Sequence, residues 1–235
     1  MNRIILIETS TALCSAAIAE NGKITAYRES SAPKAHASLT AVFIQEMLEE
    51  NGLSTADCDA ICVSMGPGSY TGLRVGVSTA KGLCFGSGKP LLAVGTLDTL
   101  VAQAAEISET ESPEFISGLK YIIPMVDARR MEVYTAVFTP DGKQISETSP
   151  VIVDENSFAE QLAEGPVLFI GDGAGKCADV ISHPNARFLQ CNPKASSMVK
   201  PAFDAYNEKR FKDVAYFEPF YLKEFVATVS RKKLF

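Results

Sequence analysis

The sequence predicts an α/β protein in which one structural unit occurs twice. Two apolar runs that each end in an acidic residue open the units, RIILIE at 3–8 and YIIPMVD at 121–127. In both units a later apolar run passes directly into a glycine-rich loop, at 60–72 and at 167–176. The repeated order of strand, glycine loop and helix predicts a duplicated α/β unit, although two unrelated hairpins can resemble each other by chance.

A hairpin is predicted after the first run of each unit. In the first unit Asn21-Gly22 separates two apolar segments, and this dipeptide is the strongest short-range signal for a tight turn. In the second unit Asp141-Gly142 follows the alternating segment EVYTAVF at 132–138. The acid-to-turn spacing is thirteen residues from Glu8 and fourteen from Asp127. This near-equal spacing supports the duplication.

The first half is expected to contain three helices. The first shows helical spacing at Leu39, Val42, Phe43 and Met47, and Asn51-Gly52 ends it. The second follows the glycine loop, and the third is LDTLVAQAAE after Thr96, a good N-cap residue. Continuous apolar runs at 60–65 and 91–94 predict buried strands. Residues 106–118 are polar and contain Pro and Gly, which predicts a boundary or surface loop.

Charge and cysteine usage narrow the class of protein. The net charge of −6 leaves no broad basic face for a phosphate backbone, so nucleic acid would be bound mainly through a partner. Six cysteines form no zinc-site pattern and are expected to be reduced and buried. No apolar stretch is long enough for a signal-peptide core or a membrane span. These features predict a cytoplasmic protein.

The glycine loop SMGPGSYTGLR at 64–74 does not match a nucleotide-binding motif. The Walker A pattern fails because no glycine precedes Lys81, and the Rossmann pattern fails because Gly66, Gly68 and Gly72 have one residue too many. Instead Gly72, Gly76 and Ala80 form a stripe of small residues along a helix. Glycine within a helix costs roughly 1 kcal/mol relative to alanine, and close approach of another backbone usually offsets that cost. The stripe therefore faces either a partner helix or another part of this chain.

Other candidate sites are less sharply defined. The loop Gly171-Asp172-Gly173 is either a ligand loop or a tight turn, and Glu8 and Asp127 end equivalent strands that could face one cleft. His36 lacks a second histidine four residues later, where Thr40 stands, so a metal site is not predicted. Ser69 does not lie in the G-x-S-x-G elbow of serine hydrolases.

Taken in order, these segments resemble the TsaB (YeaZ) family of tRNA threonylcarbamoyladenosine biosynthesis proteins. The resemblance covers residues 4–105, with GPGSYTGLR and the glycine-spaced helix as its most specific part, and continues through VDARRMEVYTAVF, GDGAG and EPFYLKEF. It implies a two-lobed fold like that of actin and sugar kinases, built from two ribonuclease-H-like halves. The first lobe is expected to comprise 1–105 and about 205–235, and the second 106–204.

The resemblance also implies a function. The chain is expected to be a non-catalytic scaffold that binds the TsaD threonylcarbamoyltransferase subunit and supports modification of the adenosine beside the tRNA anticodon. The related catalytic subunit is expected to carry a metal on H-x-x-x-H, where this chain has His36 and Thr40, so no catalytic or metal-binding residue is predicted here. ATP and the metal are expected on the partner subunits, with a TsaE-like ATPase in the complex, and tRNA is expected to be reached only through it. Self-association through the same helices stays open.

Two surfaces carry these expectations. The partner interface is predicted on the first two helices, and a Gly76→Leu change there is expected to abolish partner binding while leaving the fold intact. Where the family usually has Asp at the end of the first strand, Glu8 stands here, which predicts a vestigial nucleotide cleft. The alternatives are an ATP-dependent kinase using this cleft and a metal-dependent peptidase. The predicted interface residues are Leu39, Val42, Phe43, Met47, Gly72, Arg74, Gly76 and Ala80, and the predicted cleft residues are Glu8, Thr9, Asp127, Gly171, Asp172 and Gly173.

Overall fold

A computed structural model describes residues 2–110 and 117–223 and contains two five-stranded sheets with helices packed against them. The strands are β1 Arg3–Glu8, β2 Cys14–Glu20, β3 Lys23–Ser30, β4 Ala60–Ser64, β5 Leu91–Val94, β6 Tyr121–Asp127, β7 Glu132–Thr135, β8 Ser149–Ile152, β9 Val167–Gly171 and β10 Ala186–Gln190. The α-helices are α1 Ala35–Glu50, α2 Tyr70–Ser87, α3 Thr96–Thr110, α4 Ala159–Glu164, α5 Ala174–Ala178 and α6 Val199–Asn207. Short 3-10 helices span Thr55–Asp57 and Ala195–Met198.

The two sheets have the same topology, which confirms the predicted duplication. Their strand orders are β3-β2-β1-β4-β5 and β8-β7-β6-β9-β10. In each sheet the first three strands of the unit are antiparallel, whereas the fourth and fifth pair in parallel. The fold is therefore the predicted two-lobed α/β fold of the actin and sugar-kinase type.

The apolar run of β1 reflects burial on both faces of the first sheet. Ile5 and Ile7 point into a core shared with α1 and α2, whereas Ile4 and Leu6 point into a second core on the opposite face. That second core is completed by residues 195–207. A strand that is covered on both faces needs apolar residues at every position instead of an alternating pattern.

Two helices lie across the lobe boundaries that the sequence predicts. Helix α3 spans the boundary at 105 and packs its apolar face, including Leu100, against the second sheet. Helix α6 spans the boundary at 204 and packs on the first sheet. Residues 106–110, predicted as the start of a loop, continue α3, while 111–116 lie outside the described residues. The lobe boundaries themselves stay predictions.

The predicted turns have different outcomes in the two units. Asn21 and Gly22 both have positive φ, 49° and 80°, and directly join β2 to β3 as predicted. Asp141-Gly142 also forms a turn, in which the Gly142 amide donates to the carbonyl of Thr139. However, β7 ends at Thr135, and β8 begins at Ser149, so this turn lies within a longer connection. The alternating segment 132–138 is a strand only over Glu132–Thr135, but Phe138 forms isolated antiparallel bridges with Ile122 and Gln144, so the chain pairs with itself across this turn as well.

Candidate functional site

A cleft of about 600 Å³ lies where the strand ends of the two lobes face each other. The first lobe contributes the segment after β1 and the loop before α2. The second lobe contributes the end of β6, the turn that follows it and the loop after β9. Its lining includes Ser10, Thr11, His36, Pro67, Tyr70, Asp127, Arg129, Tyr134, Asp172, Tyr221 and Lys223.

The glycines at the start of α2 make room for the segment that follows β1. A Cβ atom on Gly72 would lie 2.0 Å from the carbonyl oxygen of Thr9, and one on Gly76 would lie 2.2 Å from the Thr9 hydroxyl oxygen. Gly68 meets the carbonyl oxygen of Ser10 in the same way, at 2.3 Å. The prediction that the stripe of small residues faces a partner helix is therefore wrong, because the stripe packs within this chain.

The glycines of the second loop, at 171–175, likewise make room for neighbouring residues of their own lobe. Gly171 has φ of 135°, and a Cβ atom there would lie 2.2 Å from the carbonyl oxygen of Met125 in β6. A Cβ atom on Gly173 would lie 2.9 Å from a methyl group of Val133. In both loops, atoms of the same lobe occupy the space that a side chain on the glycine would need. For Gly171-Asp172-Gly173 this favours the tight-turn alternative.

Glu8 and Thr9 lie beneath the cleft instead of lining it. Both are fully buried. One carboxylate oxygen of Glu8 accepts the Ser10 amide at 2.7 Å, while the other has no hydrogen-bond partner among the described residues. Burial raises the pKa of this carboxyl group. The Thr9 hydroxyl donates to the Gly72 carbonyl at 2.9 Å, so Thr9 has a structural role.

Asp127 and Asp172 do line the cleft, as predicted, but a lysine neutralises the first. Lys176 extends its ammonium group to Asp127 at 2.5 Å and to the carbonyl oxygens of Arg130 and Glu132, both at 2.7 Å. Asp172 accepts the amide of Asp127 at 2.9 Å, and burial raises its pKa to about 6. An internal cation therefore holds this end of β6. No sequence pattern singles out Lys176, although it follows the second glycine loop directly.

A strap formed by residues 212–223 runs from the first lobe to the second. Its Lys212 amide donates to the Leu91 carbonyl, and its Phe220 amide donates to the Met65 carbonyl at 2.7 Å. Near its end, the ammonium group of Lys223 forms an ion pair with Glu132 of the second lobe. The strap therefore closes one side of the cleft.

An aromatic cluster fixes the strap to the start of α2. The rings of Tyr70 and Tyr221 lie 4.9 Å apart, and the Arg74 guanidinium lies 4.2 Å from the centre of the Tyr70 ring. Arg74 also donates to the Tyr221 hydroxyl at 3.4 Å. The segment EPFYLKEF carried part of the family resemblance, but nothing in its composition indicated this contact.

The outward faces of α1 and α2 form an exposed surface, which we call the helix face. On α2, Phe85 is 88% exposed, and Gly82 and Gly86 have open space where a side chain would stand. On α1, Val42 is 40% exposed, and its outward neighbours include Glu46. The two helices pack side by side on the first sheet, so these residues belong to one side of the lobe.

Most residues predicted for the partner interface do not lie on the helix face. Val42 and Arg74 are exposed and Leu39 is half-buried, but the other five are buried in the first lobe. The physical reason is that apolar periodicity marks the side of a helix that packs on its own core. The five corrected residues are Phe43, Met47, Gly72, Gly76 and Ala80.

His36, Thr40 and Ser69, for which the sequence predicts neither a metal site nor a nucleophile, make structural contacts. His36 places its Nε2 atom 2.8 Å from the Thr11 carbonyl oxygen, and Thr40 donates its hydroxyl to the His36 carbonyl at 2.6 Å. Ser69 caps α2 by accepting the amide of Gly72. Across 2–110 and 117–223, no three His, Cys, Asp or Glu side chains are grouped as metal ligands require. In the same ranges, no helix has the length and hydropathy needed to cross a membrane.

Comparisons with known proteins agree with this architecture. A family model described as TsaD, tRNA N6-adenosine threonylcarbamoyltransferase, matches residues 29–216. The tRNA threonylcarbamoyladenosine biosynthesis protein TsaB of Escherichia coli is 31% identical over 96% of both chains. The TsaB protein of Bacillus subtilis is 31% identical over 72% of this chain and 70% of its own.

Solved structures give the same result for the fold. YeaZ from Pseudomonas aeruginosa superposes with a TM-score of 0.77 at 25% identity, covering 94% of this chain and 100% of that chain. A second Pseudomonas aeruginosa structure, described as similar to the peptidase YeaZ, has a TM-score of 0.80 at 24% identity and covers 95% of this chain and 100% of that one. The chain therefore belongs to the TsaB (YeaZ) family.

Proposed function

We propose that this chain acts in tRNA threonylcarbamoyladenosine biosynthesis as a non-catalytic subunit that binds a TsaD-like threonylcarbamoyltransferase through its helix face. The observation that carries the proposal is the exposed Phe85 between Gly82 and Gly86. An aromatic side chain that is 88% exposed supports a protein contact, because aromatic residues are enriched among those that anchor protein interfaces. The two glycines beside it allow a partner helix to approach the α2 backbone closely.

The cleft supports a scaffold role because its acidic side chains and its second glycine loop are already engaged within the chain. A magnesium nucleotide needs free carboxylates and a glycine loop whose backbone amides face the phosphates. Here Lys176 neutralises Asp127, and a strand of the same lobe fills the space beside Gly171 and Gly173. The residues present therefore do not fit a magnesium nucleotide, and we derive no chemical step through one.

The proposed assembly places the chemistry elsewhere. ATP and the metal belong to the partner subunits, including a TsaE-like ATPase, and tRNA is reached through the assembled complex in the cytoplasm. The alternative is an ATP-dependent kinase, which is favoured by one observation, the 600 Å³ cleft between the lobes. Titration calorimetry of the isolated chain with millimolar magnesium ATP distinguishes the two, because only the kinase requires binding in the absence of partners.

A mixing experiment tests the proposed interface. The chain and its cognate TsaD-like protein are combined, and the mass of the complex is measured by light scattering after size exclusion. We expect a heteromeric complex for the wild type, and loss of complex for Phe85→Asp and for Gly82→Leu, both of which change exposed positions. Tyr216→Asp is the matched control, since Tyr216 is a comparably exposed aromatic residue on the strap, at 85%.

The possible outcomes distinguish an error in the proposed interface from an error in the proposed function. If wild type and both helix-face variants assemble equally well, the interface lies on another face of the chain. If the wild type forms no complex at micromolar concentration, the scaffold role itself is wrong. A homodimer of the wild type that the catalytic subunit displaces supports the proposal, because the same face would then serve both contacts.

A further inference from the structure

Arg129 and Arg130 differ from every other arginine that the structure describes. Within residues 2–110 and 117–223, both are exposed, and neither guanidinium takes part in a hydrogen bond or an ion pair. The other five arginine side chains are engaged: Arg3 with Glu20, Arg28 with Glu50, Arg74 with Tyr70 and Tyr221, Arg187 with the Ser117 carbonyl, and Arg210 with Glu208.

The backbone of these two arginines is held in an unfavourable conformation. Their φ angles are 69° and 48°, in the left-handed region that costs non-glycine residues roughly 1–2 kcal/mol each. Lys176 fixes the turn from beneath by donating to the carbonyl oxygens of Arg130 and Glu132. The turn is thus stabilised by contacts that leave both guanidinium groups free.

The nearby carboxylates do not neutralise the two arginines. Asp127 accepts from Lys176, and Glu132 pairs with Lys223 from the strap. Two adjacent positive charges are therefore uncompensated at the edge of the cleft, on a chain whose net charge is −6. Repulsion between the two neighbouring positive charges destabilises the turn, and an anionic ligand bound to both would remove that repulsion.

We propose that Arg129 and Arg130 form a phosphate-binding turn that contacts the RNA substrate when the chain is assembled in its complex. A guanidinium group matches a phosphate with two parallel hydrogen bonds. Arg129 lines the cleft together with Tyr221, whose ring is 36% exposed although one side contacts Tyr70, so a base next to the bound phosphate can stack on it. This inference rests on the proposed function for the presence of RNA.

The tyrosine-lined cavity favours RNA over an acidic protein surface. A carboxylate partner would pair with the two guanidinium groups, whereas a nucleotide would pair its phosphate with them and also stack its base on the aromatic ring beside them. The low total charge also predicts that the turn adds a few phosphate contacts to an affinity supplied mostly by the catalytic subunit. The turn therefore orients the RNA on the complex and does not act as its main binding surface.

The test uses the assembled complex and a fluorescently labelled anticodon stem-loop RNA. Binding is measured by anisotropy over a range of salt concentrations for the wild type, for Arg129→Gln/Arg130→Gln, and for the matched control Lys23→Gln/Lys143→Gln. Both control lysines are exposed, directly follow the Asn21-Gly22 and Asp141-Gly142 turns, and do not line the cleft. We expect the arginine variant to lose roughly 10- to 100-fold in RNA affinity, and its salt slope to fall by about 1 to 2. The control should retain wild-type affinity within about twofold.

Each alternative outcome overturns the inference in a distinct way. Unchanged RNA affinity in an intact complex rules out the phosphate contact. Loss of complex assembly in the arginine variant assigns the turn to a protein interface. Competition by free AMP at concentrations equal to the RNA assigns the site to a free nucleotide. If the wild type forms no complex, the proposed function fails. The phosphate contact is then tested by titrating the isolated wild type and the isolated arginine variant with the same RNA at low salt. Equal RNA affinity of the two proteins would overturn the inference.

Discussion

Thr9 donates its hydroxyl proton to the carbonyl oxygen of Gly72 at 2.9 Å, and both residues are buried. This contact joins the end of β1 to the first turn of α2. It also explains the two glycines on the inner side of that helix, because any side chain at position 72 or 76 would occupy the space of Thr9. The close approach that the glycine stripe indicated is real, but it takes place within the chain.

Gly76→Leu should therefore destabilise the first lobe instead of acting selectively on partner binding. A Cβ atom at this position meets the Thr9 hydroxyl at 2.2 Å, and the rest of a leucine side chain would displace β1. We expect a loss of roughly 2–4 kcal/mol in the free energy of unfolding, measured by urea denaturation. Gly82→Ala is the control, since open space surrounds it and alanine should add about 0.5–1 kcal/mol. Equal stability of wild type and Gly76→Leu would contradict the packing argument.

The faces of α1 and α2 show what the sequence could and could not predict. Apolar spacing correctly located both helices, since burial of one side is what makes a short helix stable. The same spacing could not identify the partner face, because a residue such as Met47 looks identical whether it packs on its own core or on a partner. Phe85 is the sequence signal for the proposed partner face, since an aromatic side chain between two glycines is out of phase with the buried stripe.

The cleft was predictable only in part. The acids at the ends of β1 and β6 were recognised as equivalent from the repeated pattern, and the equal sheet topologies confirm that equivalence. Their environments could not be read from local sequence, because they depend on groups distant in the chain. Asp127 is 49 residues from Lys176, and Glu132 is 91 residues from Lys223.

Lys176→Met should destabilise the second lobe. Lys176 is the donor for the carboxylate of Asp127 and for two backbone carbonyls, and its removal leaves these acceptors without that partner. We expect a loss of about 1–3 kcal/mol in the free energy of unfolding, together with faster hydrogen exchange at 128–132. Lys143→Met, at an exposed turn, should change neither quantity. Unchanged exchange at the turn would show that Lys176 does not hold it.

Tyr221→Ala should loosen the strap. The change removes the ring contact with Tyr70 and the hydroxyl that accepts from Arg74, and we expect a loss of about 0.5–1.5 kcal/mol in the free energy of unfolding. Tyr216→Ala is matched in residue type and lies on the same strap, but Tyr216 is 85% exposed, so its removal should have little effect. Thermal denaturation of both variants tests the difference, and equal melting temperatures would exclude an anchoring role for Tyr221.

Asp172→Asn should stabilise the protein at neutral pH but not at low pH. Burial raises the pKa of Asp172 to about 6 in the folded chain, from an ordinary value of 3.8, so the folded state binds the proton more tightly than the unfolded state. The resulting stability is complete below pH 3.8 and is lost as the pH rises through about 6. Asparagine keeps the acceptor for the Asp127 amide without the buried charge, so we expect a gain of roughly 1–2 kcal/mol at neutral pH. Urea denaturation of both proteins across this range measures the effect. A gain that is constant with pH would mean that the charge of Asp172 is not its cause.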